Sequence, residues 1–446
     1  NGTYCEIAGY HGSDTAIVLP GEDGEGHIVQ RVGSSAFANN TKLVSVVLAN
    51  SIESTGDSAF SGCKNLMQFT GGTKLVSVGK NTFRNCTGLV QVNLPEGLEE
   101  IRDYAFGGCT SLESIHLPDS IVSLYADAFN GCSKLSSVNY PKNWEKTPES
   151  NWGYRSPFKN CVKLTSIVIP EGVTSIPAYA FRGASSLKQV SLPSTLRTIG
   201  ESAFNECTAL SDIDLSTITS IGYGAFSGCI SLKSIVVPEK CTMWNKVFSD
   251  CTGLTTVTLE SRGVICAGTF QNCTGLVQVN LPEGLEEIRD YAFGGCTSLE
   301  SIHLPDSIVS LYADAFSGCS KLSSVNYPKN WEKTPSGDYG YRSPFRNCAK
   351  LTSIVIPEGV TSIPAYAFSG ASSLKQVSLP STLRTIGYSA FSGCISLKDV
   401  TIPADCAMGN YVFDNCTGLR SITLGKRETI SRGTFRGCTG LVQVNL

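Results

Sequence analysis

Residues 106–118 read FGGCTSLESIHLP, and the reading of this stretch decides the fold. Ile115 and Leu117 alternate with Ser114 and His116, which is the pattern of a short strand with one buried face. Pro118 has no N–H to give to a ladder, so it fits the end of that strand. Asp119 and Ser120 supply a turn. IVSLYADAF (121–129) then returns along another side, with Ile121, Leu124, Ala128 and Phe129 expected to face inward. A unit this small cannot bury its own apolar side, so neighbours of the same kind must cover it.

The rest of the chain supplies those neighbours. Eighteen phenylalanines, from Phe37 to Phe435, open the phrase F-x-x-C-x-x-L-x-x-I/V-x-L/I-P at steps of 22 or 23 residues, apart from two steps of 29. Most are followed by an L/V-x-x-I element, as in EGVTSIPAYAF (171–181). A period in the low twenties with this leucine pattern indicates a solenoid with one coil per repeat. A longer period overlies it. FRNCTGLVQVNL (83–94) returns as FQNCTGLVQVNL (270–281) and FRGCTGLVQVNL (435–446). A block of eight coils is thus duplicated. Its second copy lacks the coil FNECTALSDIDLSTITSIGYGA (204–225), and a third copy opens at residue 435, so the chain is expected to be cut from a longer one.

Fifteen of the nineteen cysteines stand three residues after the marker Phe. No C-x-x-C occurs, and ligands spaced one per coil form a line rather than a tetrahedron. Side by side in a stack, the thiols would also have poor disulfide geometry. Ala184 and Ala371 fill the same slot in two coils, which marks it as a place for a small apolar group in the core. Cys241 is also expected in the core. Cys5, Cys266 and Cys406 stand outside the pattern, and disulfide pairing among them is left open.

Composition removes several classes of function. The 446 residues are 41% hydrophobic and 16% charged, with 35 Lys+Arg against 38 Asp+Glu. No basic run interleaved with aromatics supports a nucleic-acid groove. No apolar run approaches the ~20 residues of a membrane span. The first residues, NGTYCEIAGY, lack the pattern of a secretory signal. H-E-x-x-H, G-x-S-x-G, P-loop and EF-hand spacings are missing. The residues therefore predict no catalytic group, no cofactor and no metal site.

The repeated phrase, from about residue 30 to the end, resembles the BspA-type leucine-rich repeat family, known from surface and secreted proteins of gut and oral bacteria and of some parasitic protists. The segment YHGSDTAIVLPGEDGEGHIVQRVGSSAF (10–37) looks like that family's N-terminal cap. The expected fold is a leucine-rich-repeat solenoid, β-rich and elongated, a curved right-handed coil of about eighteen turns with little α-helix. Residues 1–36 form the capping segment and 37–446 the repeats, with blocks opening near 83, 270 and 435. The resemblance implies an extracellular or cell-surface binding or adhesion role, with protein partners that include host proteins in some members, and no catalysis. The alternative is a carbohydrate-binding surface protein. The chain is expected to be a monomer without nucleic-acid partners or membrane insertion.

Two regions are candidates for contact. The exposed strand positions, such as Gln91/Asn93, Ser114/His116 and Asp212/Asp214, form a nearly uncharged face rich in Ser, Thr, Gln and Asn. His116 and His303 occupy equivalent places on it. The two 29-residue steps, YPKNWEKTPESNWGYRSPF (140–158) and YPKNWEKTPSGDYGYRSPF (327–345), each insert six residues rich in aromatics. Aromatic side chains on a loop leaving a rigid scaffold are a usual form of binding site. Trp144, Trp152, Tyr154, Trp331, Tyr339 and Tyr341 are therefore candidates. Packing against the core competes with that role for Trp144 and Trp331, and Trp152 is the better exposed contact.

Overall fold

The computed structural model describes residues 5–148, 155–260, 263–337, 340–425 and 430–446, and among them the backbone forms short strands and tight turns with no helix. The chain divides into two compact units, residues 1–230 and 231–446. Each is a parallel β-solenoid.

In the first unit, Ala16–Leu19, Ser45–Leu48, Gln68–Thr70 and Gln91–Asn93 stack as one parallel sheet. Cys5–Ile7, Val29–Val32, Ser54–Thr55, Ser77–Val78, Glu100–Ile101 and Ser123–Leu124 stack as another. Ser54 lies opposite Ser77, Ser77 opposite Glu100, and Glu100 opposite Ser123. Each partner holds the same position in the next coil, which is why these strands pair in parallel. The second unit repeats the plan. Ser234–Val237, Thr256–Leu259 and Gln278–Asn280 form one ladder, and Ser362–Ile363, Thr385–Ile386 and Ala407–Met408 belong to the other. All six residues expected to face inward in the 106–129 coil, from Ile115 to Phe129, are buried.

The core is a column of marker phenylalanines. Phe83, Phe106 and Phe129 are fully buried, with ring centroids 5.1 and 5.2 Å apart and nearly parallel planes. That separation lies within the range of favourable offset stacking, roughly 4.5–7 Å. The column forms because the backbone on this side is itself laddered from coil to coil. The Phe106 amide donates to Ala128 O and the Gly108 amide to Asn130 O, both at 2.8 Å. The tight turn around most marker phenylalanines has two left-handed residues, one on each side; at Phe158 and Phe345, after the insertions, only the following Asn160 and Asn347 are left-handed. Around Phe106 the pair is Tyr104 (φ 52°) and Gly108 (φ 74°), and around Phe83 it is Asn81 (φ 55°) and Asn85 (φ 60°). Gly and Asn enter this region at least cost, which accounts for N or G two residues after most marker phenylalanines.

The cysteine column is buried beside the phenylalanines, and its thiols also donate hydrogen bonds. Cys86 Sγ donates to Phe60 O at 3.1 Å, Cys109 to Phe83 O at 3.2 Å and Cys296 to Phe270 O at 3.2 Å. Each spans one coil and ties it to the one before. Among the three cysteines left open, Cys266 Sγ donates to Met243 O at 3.1 Å, and Cys406 is buried. Burial pushes the thiols of Cys109, Cys132 and Cys161 up, that of Cys161 to about 12. The thiolate is the nucleophile, so the sixteen buried thiols should resist iodoacetamide at pH 8 in the native chain. The half-exposed Cys5, Cys266 and Cys438 should react first. Peptide mass spectrometry of the alkylated protein checks this, and prompt labelling of Cys109 would contradict the packing described.

Candidate binding surfaces

The six inserted residues change the core locally. At the first insertion the ring spacing widens to 6.1 Å between Phe158 and Phe181. Trp144 lies edge-on to both, at 6.3 and 5.8 Å. It is 3% exposed, and its indole N–H donates to Lys146 O at 3.0 Å, within the same loop. In the second unit Trp331 stands in the same way between Phe345 and Phe368, 2% exposed, with its indole N–H on Lys333 O at 2.9 Å. Both indoles are thus core groups that fill the space opened by the insertion. Other buried polar groups fasten the loops. Ser156 Oγ donates to Ala180 O at 2.9 Å and accepts the Phe158 amide at 3.0 Å, and Ser343 repeats both bonds. Arg155 reaches the fully buried Asp127 at 3.5 Å, as Arg342 reaches Asp314.

Of the other candidates, Tyr341 is 60% exposed, and His116 and His303 are exposed on their strand faces. Trp152, Tyr154 and Tyr339 lie outside the described residues. Beside each histidine strand, an asparagine one coil on replaces a backbone pair. Asn139 accepts the Leu117 amide and donates to Leu117 O, both at 2.7 Å, and Asn326 does the same for Leu304.

Two features of the second unit were not anticipated from the sequence. The first is a row of tyrosines. Tyr341 stacks on Tyr366 at 4.8 Å, Tyr366 meets Tyr388 at 5.4 Å, and Tyr388 meets Tyr411 at 5.7 Å. Arg436 ends the row, 4.9 Å above the Tyr411 ring and held by two bonds to Asp414 at 2.7 and 2.8 Å. Tyr341 and Tyr388 are well exposed, and Tyr366 and Tyr411 are half-buried. In the first block the place of Tyr388 is held by Glu201, whose carboxylate accepts a 2.6 Å bond from the Tyr179 hydroxyl. The row could be read only by aligning residues outside the F-x-x-C-x-x-L phrase coil by coil.

The second feature is a hollow of about 1070 Å³ on the strand face, lined by Gln376, Ser378, Arg384, Lys398, Asp399 and Asp405 among others. Lys375, Lys398 and Arg420, exposed and one coil apart, run along its side and into an adjoining hollow of about 380 Å³. The nearly uncharged face expected from the sequence is therefore charged here. Counting alternate strand positions passes over these cations because they stand just before the strands.

Stacked parallel coils, a leucine-bearing strand and an aromatic turn in every repeat define a leucine-rich-repeat solenoid. The sequence profile of the BspA type leucine rich repeat region matches residues 30–156, 154–265, 244–343 and 340–446, and the chain belongs to that family. A leucine-rich repeat protein from Bacteroides ovatus is similar over 82% of this chain and 92% of its own, at 26% identity and a TM-score of 0.67. One from Eubacterium ventriosum is 24% identical over 73% of this chain and 87% of its own, with a TM-score of 0.45. A leucine rich cell surface protein from Faecalibacterium prausnitzii is 20% identical over 99% and 89%, with a TM-score of 0.29. None of the curated protein sequences compared with the chain matches it.

Proposed function

We propose that the chain is a non-catalytic, extracellular or cell-surface binding protein that grips a protein partner on the tyrosine row of its second unit. The single observation carrying this reading is the run Tyr341–Tyr366–Tyr388–Tyr411 with Arg436 at its end. Tyrosine and arginine dominate the residues that supply most binding energy at protein interfaces. Tyrosine also offers a large rigid surface with a polar tip at little entropic cost. Here each ring is held by its neighbours, so the row is pre-organised. Family membership supports the surface role, because repeats of this type are known from surface and secreted proteins.

The test uses residues that equivalent coils already carry. Tyr388→Glu and Tyr411→Lys reproduce Glu201 and Lys246, so the double variant should fold normally. Screened against a panel of extracellular proteins, it should lose at least about thirtyfold in affinity for the partner of the parent chain, as expected for hot-spot residues. Equal capture by both proteins would contradict the reading.

The hollow beside Lys375, Lys398 and Arg420 favours a second reading, an acidic saccharide as ligand. Glycan-array hits that Lys398→Ala and Arg384→Ala abolish, and that the tyrosine double variant leaves intact, would replace the first reading with the second.

A further inference from the structure

The N-terminal end of the first unit brings together three donor groups far apart in sequence. Cys5 lies in the first strand of its sheet, which has a neighbour, Val29–Val32, on one side only among the described residues. Asp23 and His27 belong to a hairpin closed by the antiparallel bridge between Glu22 and Ile28, with Gly26 at φ 84° in its turn. The Cys5 amide donates to Ile28 O at 3.1 Å, which fixes the strand against the hairpin. Cys5 Sγ, Asp23 Oδ2 and His27 Nδ1 all lie within 4.8 Å of one another.

The separations fit one small ion. Zinc bonds of about 2.0 Å to O and N and about 2.3 Å to S, set tetrahedrally, place S and O about 3.5 Å apart and N and O about 3.3 Å apart. Cys5 Sγ is 3.5 Å from Asp23 Oδ2, and His27 Nδ1 is 3.0 Å from it. The other carboxylate oxygen, Asp23 Oδ1, is fixed by the Glu25 and His27 amides at 2.8 and 2.9 Å. Ligating carboxylates are commonly braced in this way. Glu25 Oε2 lies 3.9 Å from His27 Nδ1, and it or a water would supply the fourth ligand.

We propose that Cys5, Asp23 and His27 form a binding site for a borderline divalent cation of the zinc type. One thiolate, one imidazole and one carboxylate suit such an ion better than calcium or magnesium, which take oxygen ligands. Binding releases the Cys5 thiol proton to solvent, and His27 ligates through its Nδ1 lone pair with the ring proton on Nε2. The ion would staple the first strand to a hairpin 18 residues further along the chain.

The test is a titration of the reduced, chelator-treated chain with Zn²⁺ alone and with Co²⁺ alone. One Zn²⁺ per chain should bind and slow alkylation of Cys5 by about tenfold or more. Co²⁺ should produce a thiolate charge-transfer band that both Cys5→Ser and His27→Gln remove. Continued resistance of the buried thiols to alkylation shows that each variant keeps its fold. If a variant loosens the cap, protection of Cys5 by Zn²⁺ in the parent chain decides the matter. Absence of Zn²⁺ uptake, unchanged labelling of Cys5, or uptake that persists in both variants would overturn the proposal.

Discussion

Truncating Phe106 to alanine is expected to cost about 3–5 kcal/mol, the usual range for a buried aromatic. The ring is fully buried and stacked on Phe83 and Phe129, so its loss opens a cavity between two neighbours that the laddered backbone keeps from closing. Cys109→Ala in the same coil should cost only about 1 kcal/mol, the net worth of one hydrogen bond. Its thiol donates to Phe83 O, but that oxygen also accepts the Cys86 amide at 3.0 Å and keeps a partner. Ala184 and Ala371 occupy this slot elsewhere and are buried there. Urea unfolding of the two variants checks the difference. Equal damage from both would mean that the thiol column holds the coils together as much as the rings do.

Trp331→Ala is expected to destabilise the second unit by a similar amount, about 3–5 kcal/mol. The indole fills the space where Phe345 and Phe368 stand 6.2 Å apart, and no other ring among the described residues lies edge-on between them. In a stack where each coil touches only its neighbours, the damage should stay local. Hydrogen exchange should therefore rise in residues 327–368 and leave the coils around Phe413 protected. An exchange pattern unchanged near Trp331 would return the indole to the surface and to a role in binding.

The coil was legible because its signal is repeated and local. A Phe every 22 or 23 residues, alternating strand residues and a closing proline all lie within one phrase. What the phrase could not show depends on contacts between coils. The left-handed slots beside the marker phenylalanines accept Tyr104, Asp314 and Lys246 as well as Gly and Asn, so their composition hid their conformation. The thiol bonds run from a side chain to a backbone oxygen about one coil away, a relation with no trace in residue type. Among the site candidates, Trp144 and Trp331 show why exposure cannot be read from loop position. An insertion in a solenoid widens the core as well as lengthening the loop, and the largest side chain in it fills the gap. The tyrosine row and the Cys5–Asp23–His27 group needed the register and the hairpin to be known first.

The central claim is that the chain is built of interchangeable coils, each completed by its neighbours. Deleting one whole coil tests it most directly. Removing residues 84–106, the 23 residues that separate one marker Phe from the next repeat of its phrase, joins Phe83 to Gly107 and leaves every ladder in register. The shortened chain should fold with the β-sheet circular dichroism and cooperative melting of the parent, as the second block does without the coil at 204–225. Removing only residues 84–95, about half a coil, should abolish the cooperative transition, because each strand beyond the cut would meet a turn. Melting curves that respond equally to the two deletions would contradict the account.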